Sequence, residues 1–285
     1  MNVRKHSQTE FTEYGLPHNR KEVFFDVLKN RYGTIVCCGL ILCLFTLPFF
    51  AVKVLGETVF TSVFYKFDGD IEKAEEYAKV LRFYVAAAEV PCLAIAALGF
   101  AGVVKVLRQL LWAEGLFFTT DFFSGIKQNG AHYAVTFSLF GIIRALDYLL
   151  LTVNYSPAFV LYLPTGAIIL LVVPVFMTAL SQTSVYNVTY GRLLINSSKL
   201  FIKNIPVNLL FVFVAIIGLS VDFITITLLK YAMIFIVILL LLTPYLMARL
   251  LFDFSVFDKY INVRDYPEMV DKGIVRPDKI GKKDN

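Results

Sequence analysis

The chain has 285 residues, of which 58% are hydrophobic and 17% charged, with a mean hydropathy of +0.68 and a formal net charge of +5. Soluble domains run about 45–50% apolar and about 25% charged, so these values exclude a soluble globular protein. An aromatic content of 15% excludes a disordered one, which leaves an integral membrane protein.

Residues 1–32 are polar and basic, and read as a cytoplasmic segment ending in an interfacial helix, "FFDVLKN", with Lys29 and Asn30 at its close. No cleavable leader is expected, because the first apolar run is span-length rather than the shorter core of a signal peptide. A helix needs about 20 apolar residues to cross the hydrocarbon core. Six runs meet that length: 33–52, 83–104, 131–153, 157–180, 206–229 and 231–251. Only Asn154–Ser156 separates the third from the fourth, and only Lys230 the fifth from the sixth. Connections this short force antiparallel hairpins. The expected fold is therefore all-α: a polytopic membrane helical bundle of six transmembrane helices in three hairpins, followed by a basic tail over 252–285.

Lysine and arginine set the orientation. The N-terminal segment, the connections after the second and fourth spans and the C-terminal tail carry 19 of them, against 6 on the other side. By the positive-inside rule both termini are expected in the cytoplasm of a multi-pass plasma-membrane protein.

Before the third span stands "LRQLLWAEGLFFTTDFFSGIKQN", with Leu107, Leu110, Leu111, Glu114, Phe117, Phe118 and Phe122 at helical spacing, a face apolar apart from Glu114. Such a helix is expected to lie in the interface, its basic residues facing the anionic cytoplasmic leaflet. Phe122, Phe123, Lys127 and Asn129 form the phrase at its end. A fainter copy, "KLFIKN", ends in Lys203 and Asn204 before the fifth span. Each Asn suits a break where the chain turns from lying flat to standing upright, since Asn caps helices. The three phrases suggest a weak threefold repeat of elbow, helix, helix. Asp147 follows Asn129 by 18 residues and Asp222 follows Asn204 by 18, while Pro48 holds that position in the first copy.

Ionisable residues at membrane depth are candidates for function. Glu89, Arg144, Asp147 and Asp222 are expected in the outer third of the bilayer, with Arg249 near the cytoplasmic end of the last span, able to snorkel. Two readings stand. One makes the four a polar cavity for a cation, a proton or a polar headgroup; the other makes Arg144–Asp147 a structural ion pair, with Glu89 and Asp222 hydrated near the interface. Prolines 48, 91, 164, 174 and 244 lie within spans and free backbone carbonyls.

All four cysteines fall in apolar runs, where a thiol is a small hydrophobe. Their spacing fits no metal-ligand set, so neither a metal nor a cofactor is expected. The histidines are isolated, and no phosphate loop, zinc-protease motif or nucleophile elbow is legible. No catalytic residue is assigned.

The stretch "VLRQLLWAEGLFFTTDFFSGIKQNGAHYAV" resembles the YesL-like family of bacterial integral membrane proteins, in particular its clostridial versions. Arg108, Glu114, Asp121, Phe122, Phe123, Lys127 and Asn129 carry the likeness. "NRYGTIVCCGLILCLFTLP" (Asn30–Pro48) is similar to that family's first span, which ends in Leu-Pro. The resemblance covers roughly residues 1–200, and six spans with an extended tail exceed the family's shorter members. It implies a role assisting carbohydrate uptake and no defined chemistry. The expected function is that of a non-enzymatic accessory or regulatory membrane protein, whose partners are the lipid bilayer and a membrane transporter subunit rather than nucleic acid. The alternative is a carrier of small solutes or lipid that uses the outer acids.

Overall fold

The computed structural model describes residues 17–67, 70–153 and 166–274, with backbone alone at 64, 151–153, 219, 222 and 223. Among them every regular element is helical. Helix α1 (Arg20–Asn30) begins at Asn19, whose side-chain oxygen accepts from the Glu22 amide at 2.9 Å. The Glu22 carboxylate in turn accepts from the His18 amide at 2.6 Å. Side chains thus satisfy amides that a helix start leaves open.

Two long helices follow as an antiparallel hairpin, α2 (Tyr32–Lys66) of 35 residues and α3 (Ile71–Leu111) of 41. Asp70 caps α3, accepting from the Lys73 amide at 3.2 Å and pairing with Lys73 Nζ at 2.7 Å. Those bonds to Lys73 hold its carboxyl below the usual carboxylate range. Helix α4 (Phe118–Val153) runs back along α3. After it come α5 (Ile168–Val185), α6 (Tyr190–Lys203), α7 (Ile205–Leu219) and α8 (Thr227–Asp265).

The sequence expectation of an all-α polytopic bundle holds. Helices α2, α3, α4, α5 and α8 are each long and apolar enough to cross a membrane, and α6 with α7 forms a sixth candidate only as a pair bent by 99°. The helix limits differ from the apolar runs. α2 runs on past residue 52 to Lys66, and α3 starts at Ile71, well before residue 83, because "EKAEEYAKVLR" is itself rich in strong helix formers. Helix α7 stops at Leu219, ten residues before the expected end of the fifth span, and a 3-10 turn covers Ser220–Phe223. Helix α8 passes residue 251 and reaches Asp265, so about the first two fifths of the expected tail is helix. Residues 154–165, which include the expected third-to-fourth connection and the start of the fourth span, lie outside the described residues.

The three elbows fare differently. α1 and α6 are separate helices, each ending one residue before the next begins, and Asn204 sits at the 99° bend. Its backbone leaves the helical region there (φ −133°, ψ 33°), and its carbonyl accepts from the amide and the side chain of Asn208. Asn129, by contrast, lies buried in the middle of α4 with no break. The turn instead falls at 112–117, where Ala113 takes a positive φ of 54°. Side-chain fit accounts for the difference. A Cβ on Gly125 of α4 would stand 2.6 Å from the Lys105 Cβ of α3, and the Phe122 ring occupies the space beside Gly102. Once seated on α3 in this way, the start of α4 packs along the helix before it and cannot swing away as a flat elbow.

Small residues set the other close approaches, as in membrane bundles generally. α3 presents Ala86, Ala96, Ala97 and Ala101 to its neighbours, all fully buried. Gly39 of α2 meets the backbone carbonyl of Leu239 in α8 so closely that no Cβ fits. That contact falls in a widened, π-helical stretch of α8 (Val237–Leu242), two residues before Pro244. Helix α5 repeats the device, with a π stretch over Ile168–Val172 and Pro174 two residues on. A proline removes one amide and crowds the carbonyl four residues back, so the preceding turn opens.

Candidate functional site

The intramembrane charges divide between two levels. At the level nearer the α2–α3 turn, Arg144 Nη1 of α4 lies 3.1 Å from Glu89 Oε2 of α3, and Lys230 Nζ of α8 lies 2.7 Å from Glu57 Oε1 of α2. Lys53 lies within electrostatic reach of Glu89. Glu89 is only 3% exposed, and Arg144 also rests over the Tyr148 ring at 5.9 Å. Arg144 thus reaches across to Glu89 of α3, a pairing the sequence did not suggest. Asp147 is half-buried one turn further on. Of the four residues singled out from the sequence, the structure brings Glu89 and Arg144 into direct contact and sets Asp147 beside them. The side chain of Asp222 lies outside the described residues.

The second level was not anticipated. Arg249 is 2% exposed and does not snorkel. Its Nε donates to Asp253 Oδ2 at 3.1 Å and its Nη2 to Thr178 Oγ1 of α5 at 2.6 Å. The guanidinium also lies over the rings of Phe211 and Phe252, at 5.1 and 5.5 Å. Asp253 is 1% exposed. Around this pair Thr178, Ser181, Gln182, Thr183 and Ser184 form a wholly buried polar run at the end of α5. Gln182 Nε2 donates to Ser197 Oγ of α6 at 2.8 Å, and the Tyr133 hydroxyl donates to the Leu180 carbonyl at 3.0 Å. Two signals in the sequence pointed to this network: the i, i+4 spacing of Arg249 and Asp253, and the polar run "TALSQTS" closing an apolar span.

At about 1.5 Å per residue, Lys230 and Arg249 stand roughly 28 Å apart along α8. Glu89 and Arg108 are separated by about the same distance along α3. Both intervals match the hydrocarbon thickness of about 30 Å. The two levels are thus spaced as the margins of an apolar slab would be, and most residues between them are hydrophobic.

Beyond the second level the ends of α1, α3, α5 and α8 build a further hydrophobic core from Val23, Val27, Leu107, Leu111, Trp112 and Phe257. Arg20 joins α1 to α8 by pairing with Asp258 Oδ2 at 2.7 Å. Arg108 and Lys272 both lie over the Trp112 ring, 4.9 and 4.3 Å from its centre, and Glu114 pairs with both cations, at 3.6 and 2.7 Å. Gly273 takes a φ of +83° against the Leu111 carbonyl, where a side chain would be both strained and obstructed. The Tyr186 hydroxyl bonds the Asn262 side chain, and burial pushes the Tyr186 phenol well above the usual tyrosine range.

The elbow residues serve separate ends. Phe122 is buried edge-on to Phe45, while Phe123, Lys127, Lys29 and Asn30 are exposed. Lys203 Nζ rests 4.3 Å from the centre of the Tyr260 ring. Among the described residues no group of His, Cys, Asp and Glu is placed to hold a metal. One shallow surface groove lies at His18, Arg20, Asp258 and Asp271, and another at Glu57, Thr61, Tyr65 and Thr227; neither includes Glu89, Arg144 or Arg249. Compared with known proteins, the chain matches no family model, no curated protein and no solved structure.

Proposed function

We propose that this protein is a non-enzymatic accessory or regulatory component of the plasma membrane, with both termini in the cytoplasm, acting on a membrane transporter subunit. The observation that carries the reading is the pairing of the charges at the slab margins. Glu89 with Arg144, Glu57 with Lys230, and Arg249 with Asp253 each join carboxylate to cation. Paired charges of this kind hold helices together and leave little free charge to coordinate a solute. The likeness to the YesL-like proteins supports a carbohydrate-uptake system as the setting. Gentle crosslinking in the native membrane followed by purification tests it. A transporter subunit recovered in stoichiometric amount is expected, and a protein recovered alone would overturn it.

A carrier is the second reading, and one observation favours it. α5 and α8 share the π-turn-and-proline device, and opened turns of this sort accompany moving helices in transporters. Purified protein in liposomes should then move a sugar or a lipid unaided; in the accessory reading it moves neither.

A further inference from the structure

We infer that α6 is an anionic-lipid-binding helix, lying in the leaflet at the α1 end of the bundle with its outer face on acidic phospholipid headgroups. Its axis is fixed by the 99° bend against α7: if α7 stands across the bilayer, α6 lies along its surface. The helix is anchored from within. Leu193, Ser197, Leu200 and Phe201 are buried, Gln182 bonds Ser197, and Tyr190 stacks on His132 of α4 at 5.8 Å with the rings 11° from parallel.

The residues turned outward are Gly191, Arg192, Ile195, Lys199, Ile202 and Lys203. No carboxylate occurs anywhere in Tyr190–Lys203. At about 100° per residue, the two isoleucines project within roughly 20° of each other, and the three cations fill the adjoining arc of about 40°. The exposed face therefore has an apolar edge and a cationic edge side by side. Ile195 and Ile202 are 58% and 67% exposed, far more than a β-branched apolar residue needs to be when a protein wall is at hand. An interfacial helix has this cross-section: the apolar edge enters the acyl boundary, and the cations meet phosphate at headgroup level. Lys203, on the Tyr260 ring, and Lys259, 5.2 Å from the same ring, continue the cationic edge onto α8. An acidic phospholipid supplies both halves of the complement, a phosphodiester anion and acyl chains. This contact exists whether or not a protein partner docks elsewhere on the bundle.

The test uses the full chain carrying Ile202→Trp in nanodiscs of mixed phosphatidylcholine and phosphatidylglycerol. Brominated acyl chains are placed on one lipid or the other at equal mole fraction, and the Trp112 background is taken from the unsubstituted protein. Brominated phosphatidylglycerol should quench the new tryptophan about twofold or more beyond brominated phosphatidylcholine, as expected for several cations at an anionic surface. Added salt should shrink that ratio, and Arg192→Gln with Lys199→Gln and Lys203→Gln should bring it to unity. All three cations are exposed, so the folded bundle is preserved, and Ile195→Trp provides an independent reading of the same face. Equal quenching by the two lipids overturns the proposal. So does an unquenched, water-like emission at both positions, which would assign the face to the aqueous phase or to a protein partner.

Discussion

Arg249 and Asp253 stand one turn apart on α8, Nε to Oδ2 at 3.1 Å, with both side chains almost wholly withdrawn from solvent. The pair is also held by Thr178 of α5 and by the Phe211 ring of α7, which with Phe252 of α8 packs against the guanidinium. Removing one member leaves a buried, uncompensated charge, which costs about 3–5 kcal/mol, whereas replacing both by apolar residues is close to neutral. Arg249→Met should therefore lower the melting temperature of the purified protein sharply. Arg249→Met with Asp253→Leu should recover most of the loss. Equal losses in the single and double variants would show that the pair does not act as a unit.

Glu89 and Arg144 form the corresponding tie between α3 and α4, but Arg144 is more open to solvent. Screening lowers the value of the pair, and Glu89→Gln should cost about 1–2 kcal/mol, less than a break at Arg249. The accessory reading expects this variant to retain its partner in crosslinking. A solute-carrying role would lose transport at the same substitution.

The seam between α2 and α8 tolerates no side chain at residue 39, because Gly39 abuts the Leu239 carbonyl. A backbone atom cannot turn aside as a side chain can. Gly39→Val should push the two helices apart and destabilise the protein by about 1–3 kcal/mol. The exposed Gly33, with open space around it, supplies the control: Gly33→Ala should leave the melting temperature unchanged or raise it, since alanine favours helix.

Alkaline pH should weaken the junction between α5 and α8. The Tyr186 phenol is raised by burial in the folded protein, while an unfolded tyrosine ionises near pH 10. The unfolded chain thus loses its proton first, and the stability that Tyr186 contributes is intact below about pH 10 and declines above it. Melting measured between pH 8 and pH 11 should fall less steeply in Tyr186→Phe than in the parent protein, although the variant starts lower through loss of its bond to Asn262. Parallel slopes would refute the assignment.

Much of the architecture was legible because lipid makes length and apolarity decisive: a run of about 20 apolar residues has few other uses. The outer pair was partly legible as well. Glu89 and Arg144 were singled out by cost, but that Arg144 reaches Glu89 depends on how α3 and α4 meet, and close contacts at Gly102 and Gly125 decide that rather than any pattern along one helix. Asp253 escaped notice because the apolar run stops at residue 251, and a charge just beyond an apolar run reads as solvated. Only the neighbouring helix ends, which roof it over, make it a buried partner. The elbows show the same limit. "FFSGIKQN" and "KLFIKN" look alike in sequence, yet Gly125 seats the first against α3 while Asn204 turns the second through a right angle.

Trp112 is the single tryptophan of the chain, and it sits at the foot of α3, a helix whose other end lies roughly 60 Å away at Ile71. Nothing interrupts the helical ladder between them except Pro91. With two cations over its indole, this residue is a built-in fluorophore in a charge-sensitive setting. Anything that tilts the far tip of the α2–α3 hairpin levers the same rod against Arg108 and Lys272, so intrinsic emission should register an event at the other end of the bundle without any added label.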